Sequence, residues 1–255
     1  MNSEIYAFHR LEHHFFTMVS VNKIDYGHII AFTTGVKAPG LNPAFIQKID
    51  EYIQHPLAAC SADYKKNQTP WTLVIPDYLF NQHLEHELEA RQFSEQDIGF
   101  AMIVELDNYC IASSQVNLQC KLMRDNLATW SIPLIGGFNS TPEITSVYTQ
   151  QHQQALSHTQ SIYHFSGFHE DQIVCSLTLS LHHNTARIDD VATLPAYQRL
   201  GFATRLIHEA ILFARQRHIK KCFLEASNEG LTLYQRLGFK QLLKNYYYEL
   251  LSDLS

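Results

Sequence analysis

The sequence predicts an α/β fold, an α+β mixture of strands and helices on a mixed sheet, arranged as two related halves. Three observations carry that expectation. Short runs rich in β-branched and aromatic residues alternate with segments whose apolar residues fall at helical spacing. The order strand, helix, aromatic turn, strand occurs in residues 70–106 and again in residues 221–250. Within residues 187–217 a strand passes through a short glycine-bearing loop into an amphipathic helix.

The repeat is visible as pattern. PWTLVIPDYLFNQHLEHELEARQF (Pro70 to Phe93) ends in GFAMIVEL (Gly99 to Leu106), and KCFLEASNEGLTLYQRLGF (Lys221 to Phe239) ends in NYYYEL (Asn245 to Leu250). Upstream, LNPAFIQ (Leu41 to Gln47) echoes TLPAYQ (Thr193 to Gln198), as two related halves would. Strand signals stop between Asp107 and Asn126. The expected organisation is therefore a first domain over 1–112, a connecting segment over 113–128 and a second domain over 129–255.

In the second half, Ser161 to Phe165 and Gln172 to Leu181 read as strands around the turn HEDQ. The turn HHNT leads to a third strand, Arg187 to Ala192, which Pro195 ends. A helix follows from about Leu200 to Arg217, with Leu206, Ile207, Ala210, Ile211 and Ala214 on one face. Next come a strand from Lys221 to Ala226, a short helix from Leu231 to Leu237, a stop at Gly238 and a last strand around Tyr246 to Leu250.

Composition narrows the function. The 255 residues are 45% hydrophobic and 17% charged, enough apolar material for a core and too little charge for a disordered chain. No apolar run approaches the roughly 20 residues of a membrane span, and Met1 to Arg10 lacks the layout of a secretory signal. The expectation is a cytoplasmic protein with no membrane partner. Residues 1–125 hold 15 acids against 9 Lys and Arg, while residues 126–255 hold 10 of each. A nucleic-acid binder would show a basic excess, so no nucleic-acid partner is expected, and an anionic ligand belongs on the second half. The five cysteines are odd in number and widely spaced, as reduced thiols are. Of the 15 histidines, His83 and His86 sit at i, i+3 in HLEHELE, where a solvated helix face outweighs a metal pair. No zinc spacing occurs, and no metal is expected.

The stretch that carries chemistry is VATLPAYQRLGFATRL, Val191 to Leu206. The first turn of a helix presents backbone N–H groups without internal partners, at the positive end of its dipole. A diphosphate set against that end collects several N–H bonds. Gly201, lacking Cβ, lets the backbone come close, and Arg199 and Arg205 offer charge-assisted contacts. This stretch resembles the signature Q/R-x-x-G-x-G/A of the GCN5-related N-acetyltransferase (GNAT) superfamily, with Gln198, Gly201 and Ala203 at the defining positions. LEASNEGLTLYQRLGF, Leu224 to Phe239, resembles the family's later block of strand, small polar residues, short helix with a tyrosine and Gly-Phe turn.

The resemblance covers about residues 129–255 and implies a GNAT fold there, preceded by a smaller, degenerate GNAT-like half. It implies acetyl-CoA as acyl donor. The backbone of Val191, Ala192 and Thr193 would pair with the pantetheine amides. Gln198, Arg199, Leu200, Gly201, Phe202, Ala203 and Thr204 would hold the pyrophosphate of coenzyme A. Ser227 and Asn228 would touch the pantetheine arm, and Tyr234 would border the cofactor and act as general acid. At the place equivalent to the phosphate loop, the first half reads Phe45 to Asp50 without a glycine. That half is expected to bind no coenzyme A and to shape the acceptor site or a homodimer.

The implied reaction is direct attack of a neutral amine, on a small molecule or a protein, at the thioester carbonyl. Amides near Val191 would stabilise the oxyanion, and Tyr234 would protonate the leaving thiolate. The base stays open among Asp189, Asp190, Glu225 and a water chain. Strand alternation sends Asp189 and Asp190 to opposite faces. The alternative function is a non-catalytic acyl-CoA-binding or regulatory module.

Overall fold

A computed structural model describes residues 2–110 and 116–251. In chain order the first elements are α1 (Ser3–Val19), β1 (Asn22–Asp25), β2 (Ile29–Thr33), β3 (Pro43–Ile46), α2 (Gln54–Lys66), β4 (Thr72–Pro76), α3 (Gln82–Ala90) and β5 (Phe93–Glu105). There follow β6 (Gln119–Met123), α4 (Leu127–Trp130), α5 (Ile132–Gly137), α6 (Pro142–His158), β7 (Ile162–His169), β8 (Gln172–His182) and β9 (Thr185–Thr193). The last are α7 (Phe202–Arg215), β10 (Lys221–Ala226), α8 (Leu231–Arg236) and β11 (Lys240–Leu250).

These elements form two compact units, and neither follows chain order. One, here the C-half unit, is Met1–Val19 with Met102–Leu242; the other, the N-half unit, is Ser20–Ala101 with Leu243–Ser255. The division at 1–112, 113–128 and 129–255 cuts across both. The reason lies in the first helix and the last strand. Helix α1 buries Phe8, Leu11, Phe15 and Val19 along one stripe, and Phe15 and Val19 join Ala155 of α6 and Ile162 of β7 in one apolar cluster. Strand β11 pairs antiparallel with β4, from Asn245↔Pro76 to Tyr248↔Leu73. The expected connecting segment also contains β6, an edge strand paired only with β7 and half exposed, so its apolar alternation is faint.

The two units repeat one internal plan. In the C-half unit, β8 and β9 are antiparallel, and α7 carries the chain to β10, which is parallel to β9. In the N-half unit, β2 and β3 are antiparallel, and α2 carries the chain to β4, parallel to β3. The crossover helices differ at their N-termini. Before α2, Phe45 and Ile46 lie inside β3, so the turn equivalent to a phosphate loop begins later than expected, at Gln47. There the Ile53 and His55 amides bond the Asp50 and Tyr52 carbonyls, and the Asp50 carboxylate accepts from the Tyr52 amide. That N-terminus is wound shut with an acid beside it, a poor place for a phosphate.

In the C-half unit the strand order is β10-β9-β8-β7-β6. Helix α7 packs its expected face, Leu206, Ile207, Ala210, Ile211 and Ala214, with no exposed surface. Each of the three larger side chains contributes about 1.5–3 kcal/mol by leaving water. The helix stops near Arg215, and Gly238, at φ +86°, ends the turn after α8 as expected of a left-handed C-terminal residue.

Candidate active site

Strands β9 and β10 start side by side and then part. Their pairing runs from Thr185↔Lys221 to Ile188↔Leu224, although β9 continues to Thr193 and β10 to Ala226. Beyond the fork, among the described residues, Ala192 and Thr193 pair only on their other side, with Ser176 and Cys175 of β8. The edge that carries Val191, Ala192 and Thr193 therefore offers main-chain groups to an extended, amide-bearing ligand. At the fork β9 bulges. Two residue steps on β8, Ser176 to Thr178, face three on β9, Ala192 to Asp189, and Asp190 takes φ +56°. A non-glycine residue in that region stores strain, which collects at functional sites.

Helix α5 lies over the same strand. A Cβ on Gly137 would stand 2.8 Å from the Ala192 Cβ, so the glycine permits the close approach of helix to strand. After Thr193 a tight turn, Pro195–Tyr197, brings the chain to the glycine loop. Gln198 points back and bonds the Thr193 carbonyl at 3.3 Å, tying the loop to the strand end. Arg199 and Gly201 both have positive φ, +62° and +87°. Gly201 is the N-terminal cap residue of α7, and no side chain among the described residues caps the helix. The first-turn amides of Phe202, Ala203 and Thr204 have no carbonyl four residues back to meet. The Phe202 ring is buried against His169, so only its backbone faces the loop. Arg199 and Leu200 are exposed. Arg205 instead pairs with Glu209 at 2.9 Å along the helix.

On the other side of the fork, Ser227 folds into the turn before α8, its hydroxyl accepting from the Gly230 amide at 3.2 Å, while Asn228 is exposed. Tyr234 of α8 is buried, with its ring against Gly230 and the Phe239 ring 6.0 Å away. Its hydroxyl makes no hydrogen bond among the described residues. Burial, reinforced by the negative charge of Asp189, drives its pKa well above that of free tyrosine, so it remains protonated at neutral pH.

Strand alternation fails for the two aspartates. The bulge turns both carboxylates toward the layer of α1 and α6. Asp189 accepts from Nε of Arg187 at 2.8 Å. Arg187 also approaches Glu12 of α1, at 3.7 Å, and stacks over the Phe8 ring. Asp190 accepts from Thr178 Oγ1 at 2.6 Å and from the Tyr148 hydroxyl at 2.9 Å. Burial, then repulsion from Asp189, pushes its carboxyl up to about 7. Asp189 is also raised by burial, but the Arg187 guanidinium pulls it back. Glu225 of β10 contributes to the field around Arg187.

The structure thus brings Tyr234, Asp189 and Asp190 to one fork, with the glycine loop at the far end of β9. Sequence reasoning missed Tyr148, Thr178, Arg187 and the buried pair His152 and His164. The available signal was His164 and Ser166 within the apolar run of β7, and Tyr148 and His152 at i, i+4 on the otherwise polar α6. By contrast, His83 and His86 are both exposed on α3, a solvated face.

Comparison with known proteins agrees with this geometry. Residues 127–239 match the model of the acetyltransferase (GNAT) family. No curated protein sequence matches the chain significantly. A GCN5-related N-acetyltransferase from Kribbella flavida is similar in structure, with TM-score 0.69 and 10% identity over 95% of this chain and 93% of that one. A GCN5-related N-acetyltransferase from Sphaerobacter thermophilus gives TM-score 0.64 and 12% identity over 87% and 76%. A tandem GNAT protein from the clavulanic acid biosynthesis pathway gives 0.57 and 10% over 86% and 77%. At such identities the likeness is one of fold.

Proposed function

We propose that this protein, whose residues 127–239 match the acetyltransferase (GNAT) family model and whose fold is similar to that of a tandem GNAT protein, transfers an acetyl group from acetyl-CoA to a primary amine. The observation that carries the reading is the fork. Two parallel strands part at a bulge that gathers Asp189 and Asp190, with Tyr234 of α8 beside it, and one of them leads through a left-handed glycine to a helix N-terminus with no side-chain cap among the described residues. The donor set suits coenzyme A. The β9 edge from Val191 to Thr193 matches an amide-bearing arm, and the amides of Phe202, Ala203 and Thr204, with exposed Arg199 beside them, match a diphosphate.

The bound thioester supplies an activated acyl group; the chain supplies proton handling and alignment. Asp190 is the base in this reading. Its carboxyl titrates near neutrality, where it can take a proton from an ammonium and release it again. Asp189, held by Arg187, adds negative charge that favours a cationic acceptor at the fork. Tyr234 holds its proton on Oη until the thiolate departs and needs one. The main-chain edge and the glycine loop hold the donor in line, which converts an encounter into an oriented, effectively unimolecular step.

Two measurements test the reading. Calorimetry with coenzyme A should show binding to the full chain. A panel of primary amines with acetyl-CoA should then release free thiol with at least one member. Binding without thiol release from any amine would mark a binding module instead; no binding at millimolar coenzyme A would end the assignment.

A further inference from the structure

The C-half unit encloses a pair of imidazoles that none of the motifs involves. His152 of α6 and His164 of β7 are fully buried, and Nδ1 of His152 meets Nε2 of His164 at 2.7 Å. Trp130 closes over both rings, with centroids 4.9 and 4.7 Å away, and its own N–H is used on the Leu177 carbonyl. The outer nitrogens, Nε2 of His152 and Nδ1 of His164, have no hydrogen-bond partner among the described residues. Nε2 of His152 stands 3.7 Å from Oδ2 of Asp190, in electrostatic contact.

Burial keeps both rings neutral, since it disfavours the charged imidazolium. A neutral imidazole carries one N–H, so the short contact has two arrangements. In the first, His164 donates from Nε2 to Nδ1 of His152, whose own proton then sits on Nε2 and points toward Asp190. In the second, His152 donates from Nδ1 and turns a bare lone pair to the carboxylate. His164 then carries an N–H on Nδ1 that meets no acceptor. An orphaned buried donor and a lone pair facing an anion are both unfavourable. An ionised Asp190 therefore selects the first arrangement, and that preference weakens once Asp190 is protonated, when only the orphaned N–H of His164 still opposes the second.

Groups from β9, β8 and α6 surround Asp190. Asp189 and Arg187 share its strand, Thr178 comes from β8, Tyr148 and His152 from α6, and His164 lies behind His152. Arg187 in turn carries the charges of Glu12 and Glu225, and Tyr234 faces Asp189. Arg187 is held mainly by Asp189. The imidazole N–H is thus the group beside Asp190, apart from two hydroxyls, whose direction depends on whether Asp190 is charged.

We propose that His152 and His164 are positioning residues whose shared tautomer aims an N–H at Oδ2 of Asp190, favouring the carboxylate that accepts the ammonium proton. The inference rests on Asp190 being the base, and its test is arranged to be read without turnover. Histidine labelled with nitrogen-15 should show both rings as the Nε2–H tautomer at pH 8 in the full-length protein. In Asp190→Asn that preference should weaken. Carbon-13 labelling of aspartate should show the Asp190 titration moving up by about one pH unit, a tenfold change in proton affinity, in His152→Leu. His152→Gln, which keeps a donor near the Nε2 position, should leave it within a few tenths. If His152→Leu does not fold, the wild-type tautomer and the glutamine variant decide the matter.

An Nδ1–H tautomer on His152 beside an ionised Asp190 overturns the proposal, and so does an Asp190 titration unmoved by His152→Leu. If the titration moves but no amine yields thiol, the imidazole pair stands and the transferase reading falls. If an amine is active, the acid limb of kcat should shift by the same amount as the carboxyl titration. A limb that stays put while the carboxyl moves removes Asp190, and with it the pair, from the reaction.

Discussion

Replacing Gly201 by alanine puts a number on the proposed phosphate-binding turn. Gly201 has φ +87° and ψ 3° at the start of α7, and an L residue in that region costs about 1–2 kcal/mol. The added Cβ would also meet Cγ2 of Val116 at 3.1 Å, closer than ordinary packing, so Val116 must give way by a few tenths of an ångström. If the loop holds its shape, the cost falls on the fold, and a chain of this size should lose about 2–8 °C in melting temperature. If the loop relaxes in the free protein, the cost appears on binding instead. Coenzyme A would then bind about 5- to 30-fold more weakly, at 1.4 kcal/mol per factor of ten. The two losses should together come to about 1–2 kcal/mol. Calorimetric melting and titration with coenzyme A measure both. Gly40→Ala is the control, because Gly40 has no positive φ and nothing within 4 Å of its missing Cβ. A Gly201→Ala protein with unchanged melting and unchanged affinity would refute the argument that this turn is shaped for a phosphate.

Four further outcomes are expected. Tyr234→Phe should lower kcat by about 100-fold or more, with coenzyme A affinity and melting temperature nearly unchanged because the lost hydroxyl has no partner among the described residues; stopped thiol release against calorimetry reads the split. For Asp190, the folded carboxyl titrates near 7 against an ordinary value of 3.8, so the native state holds the proton more tightly and stability falls as pH rises through that window. Asp190→Asn should accordingly gain stability relative to the parent at pH 8 but not at pH 4, read as urea midpoints. His182 behaves in the opposite sense: burial, then the neighbouring His14, His183 and Arg10, push it down to about 4, so its contribution is present above 6.5 and is lost as pH falls from 6.5 toward 4. His182→Gln should flatten that acid limb in the same titration. Trp130→Phe should cost about 2–3 kcal/mol in urea unfolding, from the cavity and the Leu177 carbonyl left unpaired.

Local pattern was legible where one element shows its period. The face of α7 from Leu206 to Ala214, the strand Lys221 to Ala226 and the stop at Gly238 all read directly from residue order. The glycine loop was legible for the same reason, since a left-handed residue before an amphipathic helix is a property of adjacent residues. What the sequence concealed was pairing at a distance. The long strand β5 showed only its apolar end, because Ser94 to Ile98 are exposed or half exposed. Strand β11 was visible only from Tyr246, because its opening residues Lys240 and Gln241 are exposed and polar.

By itself, then, the order of residues determined the amphipathic helices, the repeated strand–helix–strand plan and the turn at Gly201, all of which depend on neighbours within a few positions. The tertiary structure alone decided that Met1–Val19 belongs with the second half, that β11 completes the first, and that Asp189 and Asp190 share a face. Each of these turns on a contact between residues far apart in the chain, or on one extra residue in β9. A two-residue period cannot register an insertion that resets it, and no local window contains the 2.7 Å meeting of His152 with His164.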